Sequence, residues 1–404
     1  MTIRPVCLLL SGSGFTMKKN SPLVGGQRSN DQFQPITGTA KAKPKPASTE
    51  MDPKIWSRLP KELLEQILSC LPLKTLLNLR STCKHFKSLV FSPPFISKHS
   101  SASSPFSSFL LLYHPLCFHH FPLYDSVLST WRNFLPLSDL LPRKPPSFSL
   151  LSTSNGLVCL SLPSSSSFLV RNLLAGTSRL IDFPIYPFDF EAFTLVCSPV
   201  GYKLFAIRTG SSSTSAFVYD SSVLLWRKYD GLDPIPIDNH EQEGACYNGC
   251  LYFTTPEPFS IVCFDLESGR WERSDTELPD ELTFVRLVSG EGKLYMIGGV
   301  GIDGISRSLK LWQFSETGNW VEVEILPEMM CRKFMSVCYH NYERVYCFWH
   351  QGRICVCCYT WPEILYYKVS RRTWHWLPKC PHLPDEWSCG IKWFSFVPKL
   401  YAPV

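Results

Sequence analysis

Five stretches hold residue types that could do chemistry. Gly299-Val300-Gly301-Ile302-Asp303-Gly304 has the G-x-G-x-x-G spacing that cradles a pyrophosphate when a strand precedes it and a helix follows. No helical pattern follows here, so these glycines are expected in the turn of a strand hairpin. Cys355, Cys357 and Cys358 are close enough to suggest zinc, but strand alternation points Cys355 and Cys357 to one face and Cys358 to the other. Core packing is the expectation. His114, His119 and His120 lie in an aromatic hairpin without an acidic or cysteine cluster and read as ordinary hairpin residues. The serine-rich stretches contain no G-x-S-x-G nucleophile elbow. The aspartates of Tyr124-Asp125, Tyr219-Asp220 and Phe264-Asp265 recur once per repeating unit, which suits strand-end hydrogen bonds better than catalysis. The sequence therefore assigns no catalytic residue, no cofactor and no metal.

The elements that carry these residues are short apolar runs separated by turns from Phe109 onward, with aromatics making up 14% of the chain, a texture of strands. They repeat. Tyr124-Asp125 precedes Trp131, Tyr219-Asp220 precedes Trp226 and Phe264-Asp265 precedes Trp271 at a constant interval, with looser copies from Phe314 to Trp320 and from Tyr367 to Trp374. Between the first two, Val170-Arg171-Asn172 leads to Arg179, with Asn for Asp and no tryptophan. A turn followed by an apolar strand keeps the same phase, placing Leu157, Leu204, Leu251, Leu294 and Val345 at intervals of 47, 47, 43 and 51. Units of this length with about four strands cannot bury both faces of their sheet alone, and radial stacking gives a β-propeller. With Gly298-Gly299, Phe314 and Trp320, the fifth unit resembles a kelch repeat, and the others, apart from the second, keep only the later aromatic and the tryptophan. Six units follow from the tryptophan positions. The first lacks an innermost strand, and Gly390–Phe396 is left over to pair into it and close the ring.

Upstream, Trp56–Leu89 has a different order. Pro60 stands where a helix begins without losing a hydrogen bond, and Leu63, Leu64, Ile67, Leu68 and Leu71 form one apolar face, with Glu62, Glu65 and Gln66 turned away. Pro72 stops this helix. Leu73, Leu76, Leu77 and Leu79 then lead into Cys83, Phe86, Leu89 and Val90 on a third segment. Three helices of about ten residues bury little among themselves, so such a module leans on a partner. Leu59-Pro60, KELLEQILSCLP and LKTLLNLRSTCKHF resemble the F-box, with Phe86 where many relatives carry tryptophan. The resemblance implies binding to a Skp-type adaptor and through it to a cullin ubiquitin ligase. Family pattern and helix face together place that contact on Leu59, Pro60, Leu63, Leu64, Ile67, Leu68 and Leu71.

Composition sets the remaining bounds. The 404 residues, 45% of them hydrophobic, suffice for more than one domain. The 17 cysteines are odd in number and scattered through apolar runs, as buried reduced thiols of an intracellular protein would be, in nucleus or cytoplasm. No apolar run is long enough to span a bilayer, and Val6–Leu10 is too short for a signal peptide, so no membrane partner is expected. Residues 1–50 carry +5 of the net charge of +6, leaving a nearly neutral body that does not suit nucleic acid.

The expected organisation is multidomain: a disordered tail over 1–50, an all-α F-box module over 51–91, a Ser/Pro linker over 92–108, and an all-β six-bladed kelch-like propeller over 109–397 closed by its C-terminal strand. The resemblance implies a non-catalytic substrate receptor, the F-box docking on the adaptor and the propeller presenting a target protein for ubiquitination and proteasomal degradation. The target-binding residues stay open at this point. Alternatives are an adaptor-binding propeller acting outside a ligase, and a propeller that binds sugars or small molecules, which would need a convergent polar cluster at one mouth of the ring.

Overall fold

The structure, a computed structural model, describes residues 59–71, 79, 82–102, 108–114, 122–132, 148–198, 200–209, 214–230, 242–381, 383 and 389–404. The tail assigned to 1–50, Pro72, Leu73, Leu76, Leu77, His119 and His120 lie outside the described residues.

Among the described residues, the strands form six four-stranded sheets. Five are simple meanders spanning 149–182, 192–230, 245–273, 282–325 and 345–376, and their first strands lie against one another around a central bore. The blade that begins the ring takes its innermost strand from the other end of the chain. Lys392–Phe396 pairs antiparallel with Phe109–Tyr113, setting Phe109 opposite Phe396 and Tyr113 opposite Lys392. His350, fully buried, bonds the seam from the neighbouring blade, with Nδ1 2.9 Å from Ser395 Oγ and Nε2 3.5 Å from Ser108 Oγ.

The sequence period has a direct structural cause. In each copy the aromatic residue and the following tryptophan are cross-strand neighbours on the third and fourth strands of a blade. Tyr124–Trp131, Tyr219–Trp226, Phe264–Trp271, Phe314–Trp320 and Tyr367–Trp374 have ring centroids 5.1, 5.4, 5.0, 5.1 and 5.1 Å apart, the tilted geometry in which aromatic rings attract. The residue after the first aromatic closes the turn. Asp265 Oδ1 accepts the backbone N–H groups of Glu267 and Ser268 at 2.8 and 3.2 Å, and Asp125 does the same for Val127 and Leu128. The turn pairs Asn155-Gly156, Asn248-Gly249, Glu291-Gly292 and Asp303-Gly304 have positive φ at both residues, the two-residue hairpin whose twist matches that of its strands. Gly299–Gly304 is thus a strand and hairpin turn, and side chains at Gly298 and Gly299 would overlap Leu282 and Ser306 across the sheet.

Six apolar cores fill the ring, each shared by two neighbouring blades. Cys355 and Cys357 enter the core between the last blade and the first, whereas Cys358 enters the core on the opposite side with Phe334 and Tyr367. The helix Glu328–Cys338 crosses from the fifth blade to the sixth and buries Cys331, Phe334, Met335 and Cys338.

Before the propeller, the described residues contain three helices: α1 (Lys61–Ser69), α2 (Lys84–Val90) and α3 (Pro93–Ala102). Two expectations change here. The stretch 92–108, expected as a Ser/Pro linker, contains α3, because Pro93 and Pro94 occupy the first helical turn, where no backbone donor is needed, and Phe95 is fully buried. Glu65, expected to face solvent, is buried and ion-paired to Lys98 of α3 at 2.9 Å. That hydrogen bond, more than any longer-range charge, holds its carboxyl below the ordinary carboxylate range.

Candidate functional site

Helix α1 has two apolar stripes rather than one. Leu68 is 6% exposed and packs with Leu64, Leu71, Leu79, Phe86, Leu89, Val90 and Phe95 in a small core. Leu63 and Ile67, one turn apart on the neighbouring stripe, are 48% and 40% exposed. Pro60 is exposed and Leu59 half-buried. Of the seven residues assigned to adaptor contact, Leu64, Leu68 and Leu71 therefore hold the module together, while Pro60, Leu63 and Ile67 present the open surface. The cause is local. A helix whose apolar residues fall at i, i+1, i+4, i+5 and i+8 has a stripe too wide for a single small core to cover.

The module's core is closed by the far end of the chain. Leu400 is buried in it, Tyr401 packs on its edge, and the Tyr401 hydroxyl donates to Val90 O at 2.9 Å. His99 stacks on Phe95 with centroids 6.0 Å apart and meets Tyr401 edge-on, and its burial pushes the imidazole pKa down. From the propeller, Leu174 and Ala175 in a turn of the second blade pack against the same cluster.

The opposite face of the propeller carries the connections 163–166, 183–191, 255–260, 303–304 and 326–344. Several large apolar side chains stand out from it: Tyr186, Ile302, Ile305, Met329 and Tyr339, the last 81% exposed. Tyr339 and His340 both have left-handed φ, 51° and 53°, a conformation that costs a side-chain-bearing residue roughly 1–2 kcal/mol. The His340 ring is tied to the Tyr342 hydroxyl at 2.9 Å, and that hydroxyl accepts the backbone N–H of Ser306.

Within the bore the structure assembles a polar cluster that the sequence reading did not find. Gln242 and Glu243 turn into the channel just before the short inner strand Ala245–Tyr247, and both line the cavities of about 290 Å³ on either side of them. The Gln242 amide donates to Leu287 O and Cys347 O at 3.1 and 3.0 Å and accepts from Cys347 N at 2.8 Å. Ser152 Oγ donates to Glu243 Oε2 at 2.5 Å and accepts from Leu195 N at 3.2 Å. These bonds join five blades across the bore, so the cluster acts first as an internal strut. Burial pushes the Glu243 carboxyl up to about 7, against the Ser152 hydrogen bond and the charge of Lys392, which pull it down. Nothing marked this cluster in the sequence, because its members lie in different blades. Among the described residues no group of His, Cys, Asp and Glu has the arrangement to hold a metal ion.

Among the described residues, a helical module with an open leucine-isoleucine stripe packs against a six-bladed propeller, which defines a modular protein that joins a small helical domain to a β-propeller. Residues 56–98 match the F-box domain. Over 368 residues the chain is 55% identical to an F-box/kelch-repeat protein of Arabidopsis thaliana, covering 88% of this chain and 90% of that one. It is also 26% identical to the protein Aberrant Panicle Organization 1 of Oryza sativa subsp. japonica, over 88% of this chain and 91% of that one, and 21% identical to the protein Unusual Floral Organs of Arabidopsis thaliana, over 88% and 87%. The chain belongs to the F-box/kelch-repeat proteins.

Proposed function

We propose that the chain is the substrate-recognition subunit of a Skp-cullin-F-box ubiquitin ligase. Its F-box takes the Skp-type adaptor on Pro60, Leu63 and Ile67, flanked by Leu59, while Leu64, Leu68 and Leu71 keep that surface in place from beneath. The far face of the propeller holds the protein to be ubiquitinated. The chain itself makes and breaks no covalent bond. It raises the target's effective concentration near the charged ubiquitin enzyme, as any tether does. We infer that it works in the nucleus or cytoplasm, where thiols stay reduced.

One observation carries this reading: Leu63 and Ile67 stand exposed on a helix whose other apolar stripe is already satisfied. Apolar side chains exposed side by side on a rigid helix are what a partner helix docks on. The polar bore adds no second reading, since the Gln242 amide and the Ser152 hydroxyl are spent on neighbouring blades.

The test is co-purification with a Skp-type adaptor, comparing the native chain with Leu63→Asp, Ile67→Asp. The native chain is expected to retain the adaptor and the double variant to lose it, with an unchanged melting temperature. Retention by both would remove α1 from the contact, and binding by neither would remove the ligase assignment.

A further inference from the structure

The second blade departs from the repeat at its outer hairpin, and two residues there touch the same short segment. Where the first, third and fourth blades have Asp at the turn this one has Asn172, and the tryptophan position six residues on is Ser178, with Arg179 next to it on the fourth strand. Asn172 is fully buried. Its Oδ1 closes the turn as the aspartates do, accepting Leu174 N and Ala175 N at 3.0 and 3.1 Å. Its amide nitrogen does what an aspartate cannot: it donates to Lys399 O at 2.9 Å and to Leu400 O and Ala402 O at 3.1 Å. Arg179 donates to Val404 O at 3.2 Å. The hairpin turn of the same blade also takes part, because a side chain at Gly156 would overlap the backbone of Lys399. Ala402 and Val404 then pack on the core between the second and third blades.

The other face of this segment belongs to the helical module. Leu400 and Tyr401 complete the core of α1, α2 and α3, with Tyr401 bonded to Val90 O. The turn that Asn172 holds carries Leu174 and Ala175 into that core as well.

From these contacts we infer that the second blade is a socket for Lys399–Val404, and that this segment is the strut fixing the adaptor-binding helix to the propeller. Asn172 is the positioning residue, acting on α1 only through the segment it grips. The inference rests on the function proposed above for its purpose, which would be to hold a bound target at one distance from the adaptor. Its geometry stands independently of that function.

Backbone amide exchange on the full chain, with lysine cross-linking from Lys61, Lys84 and Lys87, tests it. In Asn172→Asp the three carbonyls lose their donor and face a carboxylate, so exchange across 61–69 and 84–102 is expected to rise about tenfold or more, while 282–376 stays as protected as before. New cross-links from the module to propeller lysines should appear. Tyr401→Phe, which deletes one hydroxyl and keeps the ring, gives a smaller rise in the same helices and covers the case in which Asn172→Asp fails to fold. Unchanged exchange and an unchanged cross-link pattern in either folded variant would overturn the strut. Adaptor binding is measured separately on the native chain, so that its absence counts against the proposed function and leaves the exchange result to decide this one.

Discussion

Replacing Glu243 by Gln should stabilise the protein at pH 8 and leave it nearly unchanged at pH 4.5. In the folded chain the carboxyl titrates at about 7 instead of its ordinary 4.5, first because burial disfavours the charged form. The folded state therefore keeps a proton that the unfolded state has released, and stability declines as pH rises from 4.5 to 7, then levels off. At roughly 1.4 kcal/mol for each tenfold change in proton affinity, the full decline is about 3 kcal/mol. Solvent entering the bore screens part of this, and about 2–3 kcal/mol is expected. The replacement amide oxygen accepts the same Ser152 hydroxyl, so the strut is kept. For a folded body the size of Pro60–Val404 the gain amounts to on the order of 4 °C in melting temperature. Thermal unfolding of both proteins at pH 4.5, 6 and 8 reads this directly, since every other titrating group cancels in the difference. A difference in melting temperature that stays constant with pH would refute the reasoning.

His350 acts with the opposite sign. Burial, helped by the charge of Arg353, pushes its imidazole down to about 3, so the stability it supports is complete above pH 6.5 and is lost as pH falls towards 3, where only the unfolded chain takes up the proton. Urea titrations should show a shallower acid limb for His350→Asn than for the native chain, whatever the variant's absolute stability; parallel limbs would contradict the assignment. Phe95→Ala empties a fully buried aromatic site in the helical core and should cost about 3–5 kcal/mol. That loss should fall on the module: amide exchange of α1 to α3 rises while the blade strands keep their protection, and an equal effect across the propeller would count against it.

The propeller was legible because its repeat records a physical contact. An aromatic residue, an acceptor for two N–H groups, and a tryptophan on the return strand make up one turn with its cross-strand pair, and copying the contact copies the spacing. Glycine and asparagine at positive φ wrote the hairpins just as openly. What stayed hidden was tertiary. Helix α3 begins in a serine-rich stretch, and among its described side chains the buried ones are Phe95 and His99. Glu65 looked like solvent surface because its partner, Lys98, lies 33 residues away. The exposed half of the apolar stripe on α1 could be told from its buried half only once Leu400 and Tyr401 had come to cover one side. Gln242 and Glu243 gave no signal at all, since a polar pair in a connection is ordinary until four other blades converge on it.

The pairing of Lys392–Phe396 with Phe109–Tyr113 has a consequence for synthesis. At 5–20 residues per second the ribosome takes on the order of tens of seconds to travel from the earlier strand to the later one. Throughout that interval the first blade offers an open apolar edge, and the F-box core waits for Leu400 and Tyr401. A product interrupted before these residues has neither a closed ring nor a complete core beneath α1, so ring closure and completion of the helical module wait for the same stretch of chain.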